Sequence, residues 1–325
     1  MTRLTCYVAI LLATLSLSLS KAWASWHNES QGIMGTNIRA EVWHESSEKG
    51  RQAVRAVMHE MERINQLMSP YIEASELSKI NRLAAKAPVL ISEEMFNLLE
   101  LSVELSKETN GAFDITFASV GFLYDYRSEK KPAQQDVDKL LEAIDYKHIL
   151  LNKKNKTVFF KHPNVKIDLG GFAKGHAVDN AIKRLQEMGI QHALVTAGGD
   201  TKLLGDRRGR PWIVGIRDPR KSEKQAIVLP LESTALSTSG DYERYFEEDG
   251  QRYHHILSPK TGKSAQEVQS VSIMGARSTL NDALSTAVFV LGVQEGMNLI
   301  NQTPGYDAII IDNLRKVHYS KELTP

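Results

Sequence analysis

The 325-residue chain has one cysteine, Cys6, and it lies in the first apolar segment. With no cysteine beyond that segment there is no disulfide framework, no thiol nucleophile and no thiolate metal ligand. Any metal must be held by oxygen or histidine. An excess of either charge is lacking too: 40 Lys+Arg stand against 39 Asp+Glu, a formal net charge of +1. That balance argues against a nucleic-acid partner. A G-x-G-x-x-G fingerprint and a P-loop are also missing, so neither a dinucleotide-binding nor a kinase-type reading is supported. No repeat, low-complexity tract or long polar linker divides the chain. Strands and helices succeed each other without the strict alternation of a doubly wound sheet. The expectation is one α+β unit, with mixed sheets and packed helices, over residues 25–325.

The first 24 residues read as a signal peptide. Arg3 supplies a short positive region, Cys6 to Leu19 form an uncharged apolar run, and Ala22-Trp23-Ala24 is an A-x-A cleavage site. The run is shorter than the roughly 20 residues that span a bilayer. An uncleaved anchor is the alternative. Cleavage before Ser25 removes Cys6, Arg3 and Lys21, leaving 38 basic residues against 39 acidic ones. The expected product is exported or periplasmic, with no stable membrane span.

The stretch Val165-Lys166-Ile167-Asp168-Leu169-Gly170-Gly171-Phe172-Ala173-Lys174 carries most of the chemical suggestion. Val165, Ile167 and Leu169 alternate as in a strand, two glycines follow, and Ala173, Ala177, Ala181 and Leu185 take helical spacing up to Gly189. A strand–turn–helix of this kind presents backbone N–H groups to an anion, with Asp168 and Lys174 flanking it; an ordinary connection is the competing reading. Before it come a strand from Ile33 to Trp43 broken by Gly35, and a helix capped by Ser46 or Ser47 whose methionines fill core. Further helices run over 75–81 and from Ser92 to Thr109, and another, capped by Asp136, extends to Tyr146. A hairpin then turns around Asn152–Asn155.

Beyond it, Ala193–Asp200 repeats the strand, double glycine and aspartate. Ala235–Tyr242 is rich in small hydroxyl residues suited to lining a pocket. Tyr253–Gly262 is a strand entering a Pro/Gly turn. Thr279 is expected to cap a helix over 280–291 that ends at Gly292, followed by a last helix and a C-terminal hairpin. Asp282 and Thr286 lie four apart on that helix and share a face near its positive end, a half-set of hard oxygen ligands for magnesium. The same Thr279-x-x-Asp282 spacing also fits a capping box.

The set and order of Met34-Gly35-Thr36, Met68-Ser69-Pro70-Tyr71, Gly111-Ala112-Phe113-Asp114-Ile115-Thr116, Asp168–Asp179, Gly198-Gly199-Asp200, Ala235–Tyr242, His255-Ile256 with Pro259 and Gly262, and Asp282–Ala287 resemble the ApbE family of flavin transferases. The resemblance spans residues 34–292. It implies an enzyme that uses Mg2+ to split FAD and passes FMN to a threonine hydroxyl of an exported acceptor protein, releasing AMP. It further implies FAD contacts at Met34, Tyr71, Ala112, Phe113, Asp114, Asp168, Lys174 and Ile256, and metal ligands at Asp282, Thr286, Ser285 and the Gly171 carbonyl. His255 is the candidate for taking the acceptor proton, because imidazole titrates near neutral pH; a packing role is the alternative. Two positions depart from the family pattern: Ser258 replaces the Asp before Pro259, and Thr196 replaces the Asn ahead of Gly198. An FAD pyrophosphatase that gives FMN to water, and a non-catalytic flavin-binding protein, are the other readings.

Overall fold

The computed structural model describes residues 25–324, and the expected leader, residues 1–24, lies outside them. The chain opens as a hairpin of β1 (Ser25–Ile33) and β2 (Thr36–His44). Met34 and Gly35, both at positive φ, make its turn, so the expected single broken strand is two strands. The Ser46 side chain accepts from Lys49 N and caps α1 (Ser47–Met68). Val54, Val57, Met58, Met61, Ile64 and Met68 recur every three or four residues on its buried face.

Next come α2 (Glu76–Leu83), β3 (Val89–Leu90), α3 (Glu93–Glu108), α4 (Ala118–Gly121), α5 (Gln134–Leu141), β4 (Ile149–Asn152) and β5 (Thr157–Phe160). Asp136 lies in the first turn of α5 rather than at its cap, and α5 stops at Leu141. A separate turn of 3-10 helix, Tyr146–His148, is capped by Asp145. Then follow α6 (Ala173–Glu187), β6 (Ala193–Ala197), β7 (Asp200–Leu204), β8 (Trp212–Asp218), β9 (Lys221–Leu231) and β10 (Ala235–Gly240). The chain continues through β11 (Tyr245–Glu248), β12 (Gln251–His254), β13 (Leu257–Ser258), β14 (Lys263–Ser264), β15 (Val268–Gly275), α7 (Ser278–Asn301), β16 (Asp307–Asp312) and β17 (Val317–Tyr319).

Eight strands form the main sheet in the order β1-β2-β6-β7-β10-β15-β16-β17, each antiparallel to its neighbours. The mixture is therefore between sheet and helix layers and not in strand direction. Helix α1 packs on β1 and β2, α6 on β6 and β7, and α7 on β10 and β15, with α6 between the other two helices. Ile38, Ala40 and Val42 of β2 and Ala193, Val195 and Ala197 of β6 point into this layer and are fully buried. On the other face, Ile216 of β8 joins Leu236, Met274 and Ile309 in a second apolar layer. β15 is thus covered on both sides, and all eight of its residues are buried. Helix α7 is long and apolar enough to cross a membrane, yet half of its apolar window is buried in this core. It bends at Gly292, whose φ of 78° no helix interior accommodates.

The expected strand at Val165–Leu169 forms no ladder. Its backbone is held instead by side chains: Ser119 Oγ accepts from Lys166 N, and Asn81 both accepts from Ile167 N and donates to its carbonyl. Apolar alternation is nonetheless kept, with Val165, Ile167 and Leu169 all fully buried. The two double glycines do different jobs. Gly170-Gly171 leads into α6, whereas Gly198-Gly199 turns the β6–β7 hairpin.

Candidate active site

The site forms where the N-terminal turns of α6 and α7 meet. A Cβ at Gly175 would run into the Ser278 carbonyl and lie 2.9 Å from the Asp282 Cβ, so the close approach of the two helices requires glycine. One turn along, Asp179 of α6 caps α7 from outside. It accepts from Ser278 N at 3.1 Å, Thr279 N at 2.9 Å and Thr279 Oγ1 at 2.7 Å. Thr279 is therefore not the cap, and the capping-box reading of Asp282 falls with it. Asp282 faces the other way and accepts from Gly175 N at 3.0 Å.

Lys174 binds the carboxylates together. Its Nζ stands 3.0 Å from Asp200 Oδ2, 3.4 Å from Asp282 Oδ2 and 3.4 Å from the Gly170 carbonyl. Burial disfavours the ammonium, but Asp200 and Asp282 outweigh it and hold the Lys174 pKa above the ordinary lysine value. One cation does not satisfy both acids. Burial, and then the charge of Asp200, push Asp282 up to about 7 even with Lys174 opposing. Asp200, 1% exposed, leaves Oδ2 without a properly directed hydrogen bond. The cluster is short of positive charge.

Hard oxygen donors surround that deficit. The Ser239 hydroxyl of β10 lies 2.8 Å from Ser285 Oγ and 3.3 Å from Thr286 Oγ1. The space a Gly171 side chain would fill is 3.5 Å from Thr286 Oγ1 and 3.2 Å from the Phe113 ring. Ser285 and Thr286 thus meet at Ser239, and Thr286 borders Gly171; oxygen donors of this kind suit a magnesium-type cation better than zinc. Among the described residues no group of three or more His, Cys, Asp or Glu is arranged to hold a metal.

The turn before α6 differs from the expected anion cradle. Gly170 N donates to Asp168 Oδ1 and Gly175 N to Asp282, so these amides hold the protein's own carboxylates. Asp168 is raised by burial, against the Gly170 amide, Arg244 and Lys174. Phe113 packs against Phe172 at 5.7 Å between ring centroids, with Ala112 buried beside it. Asp114 turns inward: Oδ1 accepts from Thr116 N and Oγ1, and Oδ2 from Tyr146 N. Its carboxylate braces the Ile115–Phe117 turn instead of pointing at the Lys174 cluster.

His254 and His255 have separate roles. His254 is locked, with Nε2 at 2.6 Å from the Ala265 carbonyl and Nδ1 accepting from Ile256 N, which fixes buried Ile256. His255 Nδ1 has no partner. Burial, with Arg244, His254 and Lys174 adding to it, pushes His255 down to about 3. The imidazole is thus neutral at physiological pH and does not titrate near pH 7 as expected from its ordinary value. At the rim, Arg244 Nη2 lies 3.2 Å from where a Gly35 Cβ would stand, which brings the Met34 turn to the site. Tyr71 is 80% exposed on the loop after α1. Its hydroxyl is close enough to that of Tyr126 to raise the latter's pKa, behind the dominant effect of burial. Tyr126 in turn stacks on Tyr124 and leans on Phe246.

Sequence reasoning gave no role to Arg244, and left Asp179 and Asp200 as parts of motifs and Ser239 as one of several pocket-lining hydroxyls. Asp200 could have been found from its place after the second double glycine. Nothing local marks Arg244, which reaches the site only through tertiary packing.

The family model described as the ApbE family matches residues 34–310. The FAD:protein FMN transferase of Treponema pallidum (strain Nichols) is 32% identical over an alignment of 317 residues, covering 90% of this chain and 86% of its own. That of Haemophilus influenzae is 32% identical over 281 residues, covering 82% and 80%. Among solved structures, the ApbE protein of Thermotoga maritima superposes with a TM-score of 0.84 at 35% identity, covering 92% of this chain and 98% of its own. Flavin transferase ApbE from Vibrio cholerae gives 0.82 at 26% identity, with the same coverage. With the match running from the Met34 turn past the Asp282 helix to β16, this chain belongs to the ApbE family.

Proposed function

We propose that the chain is an exported, magnesium-dependent FAD:protein FMN transferase, processed before Ser25 and acting on a threonine or serine hydroxyl of an exported acceptor protein. The name borne by its relatives gives the reaction class. The observation that carries the reading is the under-neutralised pair Asp200 and Asp282 around Lys174, with the Ser285 and Thr286 hydroxyls on the helix of Asp282 and the Gly171 turn against Thr286. A purely flavin-binding site has no use for carboxylates buried short of positive charge. Asp282, Thr286, Ser285 and the Gly171 carbonyl would hold the magnesium ion. When bound, it would neutralise a diphosphate and make the FMN phosphorus a better electrophile.

The remaining steps fall to the chain's own residues. Lys174 faces the diphosphate, the exposed Tyr71 ring is free to stack on the isoalloxazine, and Phe113 with Ala112 closes the apolar wall. The acceptor hydroxyl attacks the FMN-side phosphorus, its proton passes to the neutral His255 ring, and the bond to the AMP oxygen breaks. AMP leaves with that electron pair, and FMN remains as a phosphodiester. His255 enters the reaction neutral, and a diphosphate placed beside Arg244 and Lys174 would counter their charge and raise its basicity. Positioning and charge stabilisation, more than covalent chemistry, account for the rate in such a transfer. The test is to incubate the purified protein with FAD, magnesium and flavin-acceptor proteins of the same organism. The expected result is AMP together with an acceptor whose mass rises by FMN less water. Equal FMN and AMP with no labelled acceptor would replace this reading with a pyrophosphatase.

A further inference from the structure

Arg244 stands at the rim, and the preceding mechanism uses only the effect of its charge on His255. It is exposed, and it forms no ion pair among the described residues. Its neighbours along the same segment are paired, Arg217 with Glu243 and Arg220 with Asp241. The backbone places it directly across from the reacting histidine. Tyr245 pairs with His254 at the end of the β11–β12 ladder, and one step on His255 N donates to the Arg244 carbonyl at 3.2 Å. The guanidinium then lies over the Met34-Gly35 turn, with Nη2 at 3.2 Å from the Gly35 Cβ position. Its charge is felt by both Asp168 and His255. Lys174, the other cation facing that space, is already engaged by Asp200 and Asp282.

Resting on the transferase reading above, we infer that Arg244 is the free cation of the site, which clamps the diphosphate of the flavin nucleotide and stabilises the AMP phosphate as it departs. A guanidinium presents a planar fork of donors matched to two phosphate oxygens, which an ammonium does not. As the bond between the FMN phosphorus and the AMP oxygen breaks, negative charge grows on AMP, and a cation held over the turn meets it without a proton changing hands. A Cβ at Gly35 would crowd the fork at 3.2 Å, on a turn whose positive φ already favours glycine.

The experiment has a kinetic and a binding arm. Arg244→Ala should lower kcat for AMP release by roughly 100-fold or more, the range found when a charge-stabilising donor or arginine finger is removed. Methylguanidine in solution should restore part of that rate, and Arg244→Lys should recover less than half of it. In calorimetry with magnesium present, Arg244→Ala should bind ADP at least about tenfold more weakly than the parent while binding riboflavin equally. Equal riboflavin binding also shows that the variant is folded. Arg184→Gln, at the far end of α6, serves as a control for loss of one positive charge. Wild-type AMP release together with wild-type ADP affinity in Arg244→Ala would overturn the inference. Should the parent chain release no AMP at all, the transferase reading fails on its own account, and the ADP arm still decides the role of Arg244.

Discussion

Asp282 joins two properties that pull apart, since it is buried and it lacks a full countercharge. Replacing it with Asn keeps the shape and the acceptor for Gly175 N but removes the charge. AMP release should drop by about 100-fold or more while the fold survives. A variant that turns over FAD normally with a lowered melting temperature would reduce Asp282 to a structural role. Its pH behaviour has a definite sign. The folded pKa, about 7, lies above the ordinary 3.8, so the stability it contributes is fully present below pH 3.8 and is lost as pH rises through 7. Urea melts of the metal-free protein should show this loss between about pH 4 and 7, and Asp282→Asn should flatten it. His255 gives the opposite prediction. Its pKa, about 3, is held below the ordinary 6.5, so its contribution is present above 6.5 and is lost as pH falls through 3. Nitrogen-15 NMR should find the ring neutral from pH 7.5 down to 4.5, and a titration near 6.5 would contradict the site geometry.

At the scale of elements, the site depends on one helix capping another. Asp179 meets three donors at the start of α7 and also pairs with Lys202 Nζ at 2.6 Å. Asp179→Ala should cost about 2 kcal/mol in equilibrium unfolding, the upper end for a lost helix cap. Asp179→Asn, which keeps an acceptor, should recover part of it. Loss of activity beyond that of stability is expected too, because α7 carries Asp282, Ser285 and Thr286. Gly175→Ala attacks the same junction from the other side. Its methyl group would meet the Ser278 carbonyl and push the helices apart, costing about 1–3 kcal/mol by overpacking. If instead Gly175→Ala melts and turns over like the parent, the close approach of α6 and α7 is not what holds the site.

For the whole molecule, the eight-stranded antiparallel sheet carries three helices on one face, and the cleft lies where two of those helices begin. Ligand binding should therefore stabilise the entire fold and not a local segment. At a free magnesium concentration 100 times its dissociation constant at pH 8, the gain there should be about 2.7 kcal/mol, and the same concentration should give less at pH 6 because bound cation favours ionised Asp282. Differential scanning calorimetry with and without chelator checks this. A melting temperature indifferent to magnesium at both pH values would count against Asp282, Ser285, Thr286 and Gly171 as its ligands.

What the sequence determined by itself was whatever local periodicity or a nearby cap enforces. Ser46, Ser75 and Ser92 start their helices as read, Gly189 follows the end of α6, and β6 and β15 form where strands were read. The α+β class and the family motifs follow from the same local order. Where the reading failed, the partner was distant along the chain. Val165–Leu169 alternates like a strand but is bonded by Asn81 and Ser119. Thr279 looked like a cap until Asp179, 100 positions away, took its amide. The pKa of His255 is ordinary in isolation and is displaced only by burial beside Arg244 and Lys174. Helix starts and strand faces are decided by neighbours within a few residues. Charge state, hydrogen-bond partner and the free guanidinium of Arg244 depend on groups that only the folded packing of α6, α7 and the β11–β12 hairpin brings within a few ångströms.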